Sequence, residues 1–115
     1  MINRAVLMLS YKQPAVDWIN EAESYNSPEV TLSSVNEEKT VYLVAHEITD
    51  TPKELEAWIK LNCEVLFENE LYGWYVDETL WPKKRNWTLF KKWFSYECHS
   101  VVEDTVGAPI LDLGA

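Results

Sequence analysis

The chain opens on an apolar run with no alternation. Residues 4–10 are apolar on both parities, which predicts a central strand covered on both faces. Pro14 then stands well at a helix start, where its missing N–H costs nothing. Ala15, Trp18, Ile19, Ala22 and Tyr25 recur at helical spacing, with Asp17, Glu21 and Glu23 opposite. The pattern predicts an amphipathic helix over residues 14–25, broken by Asn26, Ser27 and Pro28. Between Val30 and Val35, Val30 and Leu32 alternate with Thr31 and Ser33, as in a short strand. Asn36 to Lys39 is a polar turn. Thr40 to Ile48 is rich in β-branched and aromatic residues and predicts the strongest strand of the chain. These two strands are expected to form a hairpin.

The next helix start is the clearest local signal. Thr51 can cap, Pro52 takes the first position and Glu54 completes a capping box. Leu55, Trp58, Ile59, Val65 and Leu66 supply an apolar stripe to about residue 68, and Glu70 to Trp74 reads as a second short helical turn. Residues 75–86 read as a loop. Asn86 can cap a short helix carrying Leu89, Phe90, Trp93 and Phe94. From there two readings compete. Residues 90, 93, 94, 98, 101 and 102 fit one continuous helix, whereas Tyr96, Cys98 and Val102 fit one face of a strand over 95–103. The strand is the expected form. The resulting order, β-α-β-β-α-(α)-β, is that of an α+β, ferredoxin-like plait with an extra short aromatic helix before its last strand. That helix is expected to cover the second face of the sheet. The competing expectation is that two copies pair there as a homodimer. Residues 1–104 form one domain on this reading, and residues 105–115 a C-terminal tail.

Composition narrows the class. With 115 residues, 47% hydrophobic and 25% charged, the chain can bury a core without disulfides or metals. The apolar run after Arg4 is too short for a signal-peptide core, and no stretch nears the ~18 apolar residues of a membrane span. A cytoplasmic protein with no membrane partner is expected. Cys63 and Cys98 lie in apolar patterns with no C-x-x-C spacing, as two reduced, buried thiols would. The net charge of −9 is uneven, because Lys83, Lys84, Arg85, Lys91 and Lys92 fall within ten residues that hold no acid. The acidic majority repels nucleic acid at long range.

Candidate chemistry is sparse. His46 precedes Glu47, but Asp50 stands where a metalloprotease needs its second histidine. His46 shares a strand face with Tyr42 and Val44 and reads as an edge-of-core residue. Glu97 and His99 would share a strand face as a hydrogen-bonded pair or a proton-transfer fragment, while Cys98 points away. Two ligands are too few for zinc, and no cofactor motif is present. Eleven of the fifteen aromatic residues lie between Trp58 and Tyr96, and the basic island is set among them. Such rings fill a core, form a protein interface, or stack bases beside a neutralised backbone.

Three fragments, Trp81-Pro82-x-x-Arg85, Phe90-x-x-Trp93-Phe94 and His99-Ser100-Val101-Val102-x-Asp104, resemble a small group of uncharacterised bacterial proteins. The resemblance covers about 25 residues. It implies no activity. It implies a strand at His99 to Val101, and one local structure holding Trp81, Arg85, Trp93 and His99. A physical version is a clasp, with Arg85 stacked on a tryptophan and donating to Asp104 or to a backbone carbonyl.

The expected function is a non-catalytic protein-binding or regulatory module facing a basic partner, with Trp81, Arg85, Trp93, Glu97 and His99 as binding candidates. Two alternatives stand beside it. One is an enzyme or small-anion-binding protein, with Arg85 as the anchor and His99, aided by Glu97, moving a proton between the 81–85 loop and the last strand. The other is single-stranded nucleic-acid binding through residues 81–92.

Overall fold

A strand that is apolar on both parities belongs in the middle of a sheet, and β1 (Arg4–Tyr11) lies there, although only one of its faces is fully buried rather than both. The computed structural model of the chain describes residues 1–22 and 29–114. In it, β1 is flanked by β2 (Val41–Ala45) and β3 (Phe94–His99), both antiparallel. Met8 stands opposite Val41 on one side and Glu97 on the other, and Leu7 opposite Tyr42 and Cys98. This register sends Ala5, Leu7, Leu9, Val44 and Phe94 into the core. Val6, Met8, Val41, Leu43, Glu97 and His99 fall on the opposite face.

The helices pack on the core side. α1 (Gln13–Ala22) buries Ala15, Val16 and Ile19. Tyr25 and the break at Asn26 to Pro28 lie outside the described residues. α3 (Pro52–Trp74) begins where Thr51 accepts the Glu54 N–H on its hydroxyl at 3.1 Å. It runs on past residue 68 without a break, so the separate turn expected at 70–74 is the end of the same helix. Its buried positions are Ile59, Cys63, Leu66, Phe67, Glu70 and Leu71, a stripe at heptad-like spacing. Val65 faces solvent instead. α4 (Trp87–Trp93) is capped by Asn86, whose Oδ1 accepts the Leu89 N–H at 3.0 Å. Its far end is met by Lys12, which donates its backbone N–H to Trp93 O and its Nζ to Lys91 O, both at 2.7 Å.

Several expectations are corrected. The segment 30–35 is no strand, and the sheet has three strands among the described residues rather than the four of a plait. Thr31 and Ser34 exchange side-chain and backbone hydrogen bonds at 3.0 and 2.9 Å and nucleate a single helical turn, α2 (Leu32–Val35). Two asparagines do the work of a neighbouring strand. Asn20 both donates to Val30 O and accepts from Val30 N, each at 2.9 Å. Asn36 does the same for Tyr11, at 3.0 and 2.8 Å. The strand expected to reach Ile48 stops at Ala45, and His46–Thr49 is a 3-10 turn tied by the Thr49 hydroxyl to His46 O. His46 therefore leaves the strand face of Tyr42 and Val44. The aromatic helix α4 lies on the core side, with Phe90 and Trp93 buried there, so it does not cover the second face of the sheet.

Residues 100–114 hold no helix or strand. The chain's start is pinned to this segment, with Ile2 N donating to Val102 O at 2.8 Å and the terminal ammonium 2.9 Å from Glu103. No helix among the described residues is long and apolar enough to cross a membrane.

Candidate functional site

The loop between α3 and α4 folds inward on its aromatic residues. A short 3-10 turn (Glu78–Leu80) starts at Asp77, whose carboxylate accepts from the Thr79 N–H and hydroxyl. These bonds hold the Asp77 carboxyl below the usual carboxylate range. The turn delivers Trp81 into the core, where its indole N–H donates to Tyr75 O at 2.8 Å. Trp18 Nε1 donates to Leu80 O at 2.9 Å from the other side. Arg85 closes the loop as a clasp. Its guanidinium lies 5.8 Å from the Trp81 ring, donates to Pro82 O at 2.9 Å, and donates from Nε and Nη2 to Glu68 Oε1 at 3.2 and 3.0 Å. Glu68 on α3 takes the role expected of Asp104, which instead accepts from Val106 N.

The five candidate residues divide among three places. Trp81 and Arg85 form the clasp. Trp93 is a core residue, with ring centroids 5.1 Å from Phe67 and 5.6 Å from Trp18. Glu97 and His99 lie on the opposite face of the sheet, joined at 2.9 Å, with Lys39 Nζ 3.5 Å from Glu97. The His99 bond, helped by Lys39, holds the Glu97 carboxyl below its usual range. No hydrogen bond, ion pair or cavity among the described residues joins Arg85 to His99. The basic island is also divided. Lys91 lies 5.4 Å from the Trp87 ring, and Trp87 stacks on Phe90 with an interplanar angle of 18°. The rings of Trp81 and Trp93 are turned inward, away from any base that could stack on them. Cys63 and Cys98 are free, and burial pushes both thiols up, away from the nucleophilic thiolate. Among the described residues no three His, Cys, Asp or Glu side chains group to hold a metal ion.

A second constellation involves a residue that sequence reasoning passed over. Glu70 is a carboxylate on a helix, where solvent is the usual place for it, yet it is 6% exposed, the one buried charged side chain among the described residues. Its Oε1 accepts from the Tyr11 hydroxyl at 2.9 Å and its Oε2 from the Tyr42 hydroxyl. Tyr11 Oη in turn accepts from Trp74 Nε1, and Tyr42 Oη from Asn69 Nδ2, both at 2.9 Å. An indole N–H and an amide NH₂ only donate. Each tyrosine therefore spends its single proton on Glu70, which needs no proton of its own to satisfy either oxygen. Burial, with the Glu70 charge beside it, raises the Tyr11 hydroxyl far above its ordinary value. Burial and the bond to Glu70 raise Tyr42 likewise. The cluster borders a cavity of about 170 Å³ between the ends of β1 and α3 and the turn before β2. The signal that could have found it is periodicity, since Glu70 stands seven residues after Cys63 in a stripe that is otherwise apolar.

No family model, curated protein or solved structure matches this chain, and the resemblance carried by the Trp81, Phe90 and His99 fragments therefore adds no function to the geometry.

Proposed function

We propose that the protein is a non-catalytic recognition module that binds another, basic protein through the sheet face turned away from its helices. One observation carries this reading. Among the described residues the buried faces of α1, α3 and α4 join the core side of the sheet, and on the other side Val41 and Leu43 remain 51% and 48% exposed beside Val6 and Met8, with Leu43 bordering a groove against residues 102–110. An apolar patch of this kind, rimmed by polar groups, marks an interaction site more often than chance. Arg4, Lys39, Glu97 and His99 supply such a rim. The net charge of −9 favours a basic partner by steering and by rejecting acidic ones. The dispersal of Arg85, Glu97 and His99 supports recognition over catalysis by that set.

The test is a double variant, Val41→Glu with Leu43→Glu, chosen because both side chains already meet solvent. Native extract is passed over immobilised wild type and variant in parallel. Wild type should retain one stoichiometric basic protein, and the variant should lose it while keeping the wild-type melting temperature. Equal retention by both would remove the sheet face from the reading. Sedimentation of the isolated chain covers a second copy: a wild-type dimer that becomes a monomer in the variant would assign the face to self-association.

A further inference from the structure

We propose that the cavity beside Glu70 is a binding site for an organic ammonium group, on the helix side of the sheet and separate from the Val41/Leu43 face. Three observations carry it. The first is charge. The donor pattern around Glu70 turns both tyrosine protons onto its carboxylate oxygens, yet no cationic side chain among the described residues lies within ion-pair distance of it. A buried carboxylate supported by neutral donors alone is costly, and a cation placed against it offsets that cost. The only lysine at the cavity wall, Lys39, directs its ammonium to Glu97 on the other face.

The second observation is shape. The cavity holds about 170 Å³, room for a short alkyl chain with a charged head, and the exposed carboxylate of Glu38 adds a second negative group to its lining. The third is the character of the wall. Tyr11 and Trp74 both line the cavity, their rings 6.3 Å apart and inclined at 59°. Aromatic faces set at an angle around a carboxylate attract ammonium groups through the ring quadrupole. The indole N–H of Trp74 and the hydroxyl of Tyr11 are spent on the network, so what these residues offer a guest is ring surface. An anion would meet the carboxylates of Glu38 and Glu70, with the ammonium of Lys39 already drawn to Glu97.

The ammonium could be carried by a free alkylamine or by a lysine side chain of a protein, and the chemistry recognised is the same. Binding is read from the Trp74 indole N–H resonance of the ¹⁵N-labelled full chain. The probes are n-butylammonium chloride, Nα-acetyl-lysine methylamide and, as the opposite charge, sodium butyrate. The two cations should each give a saturable shift, and butyrate none. Glu70→Gln should weaken both cations at least tenfold. Because that change alters the network, a second variant leaves it intact. Gly73 lines the cavity, and a Cβ there meets nothing within 4 Å, so Gly73→Met has room to extend over the opening and should abolish the shift while the remaining resonances stay in place. Tighter binding of the lysine derivative would assign the site to a protein side chain, and tighter binding of butylammonium to a free amine. Absence of a saturable cation shift in the wild type, equal binding of butyrate, or undiminished binding in folded Gly73→Met would each overturn the proposal.

Discussion

Around Glu70 every proton has one place to go. Tyr11 and Tyr42 must keep theirs for the carboxylate, and this ties folding to alkaline pH. Both hydroxyls are raised in the folded protein, so the unfolded chain loses these protons first, near tyrosine's ordinary value of about 10. Their stabilisation is complete below that pH and falls as pH rises through and beyond it, by at most about 1.4 kcal/mol per pH unit for each tyrosine. Urea denaturation from pH 8 upward should show this decline in the wild type, and a shallower one when Tyr11→Phe and Tyr42→Phe are combined. Asn36 makes a second prediction at the same scale. It accepts from and donates to the backbone of Tyr11, and Asn36→Ala should cost about 2 kcal/mol in the same measurement, roughly the sum of two hydrogen bonds. Neither role was readable from composition. An asparagine after Val35 signals a turn, and a glutamate on a helix signals solvent. Only the break in the apolar stripe at Glu70 set that residue apart from the other acids of α3.

Among the elements, those with a local code were legible and those decided by distant partners were not. Thr51 with Pro52 placed the start of α3, and Asn86 placed the start of α4, because a cap is written in adjacent residues. The doubly apolar run of β1 placed it at the centre of the sheet. The segment Val30 to Val35 went the other way. Its alternation suggested a strand, but Thr31 and Ser34 satisfy each other locally while Asn20 holds Val30 from α1, a contact no short window contains. The five candidate site residues fared similarly. Trp81 and Arg85 meet because they lie on one short loop, whereas His99 is carried to the opposite face by β3. The seven-residue helix α4 depends most on its cap, since so short a helix has little else to nucleate it. Asn86→Ala should therefore lower stability by about 1 kcal/mol, with Asn86→Gly milder by most of that amount. Thermal melts of the two variants side by side would test the ranking.

At the scale of the molecule, charge is the dominant unpaired quantity. A net charge of −9 is spread over a body of about 45 × 32 × 25 Å, and the described residues form only three ion pairs besides the His99–Glu97 contact, each with an exposed member. Repulsion among the acids then outweighs attraction within those pairs. The screening length shrinks from about 30 Å at 0.01 M salt to about 8 Å at 0.15 M, from the width of the protein to a fraction of it. Added sodium chloride should consequently raise the melting temperature over this range, and a fall would mean that the few pairs matter more than the excess charge.

The placement of β1 also sets an order of events during synthesis. Of the three strands, the middle ribbon of the sheet is made first, β2 second, and its other neighbour, Phe94–His99, last, some eighty residues after β1. Until then the nascent polypeptide carries an apolar ribbon with one flank bare, the kind of edge that templates contact with other chains. Burial of that ribbon's second flank thus depends on β3, and a message cut short just before residue 94 yields a product prone to clump, even though α1 to α4 are already encoded.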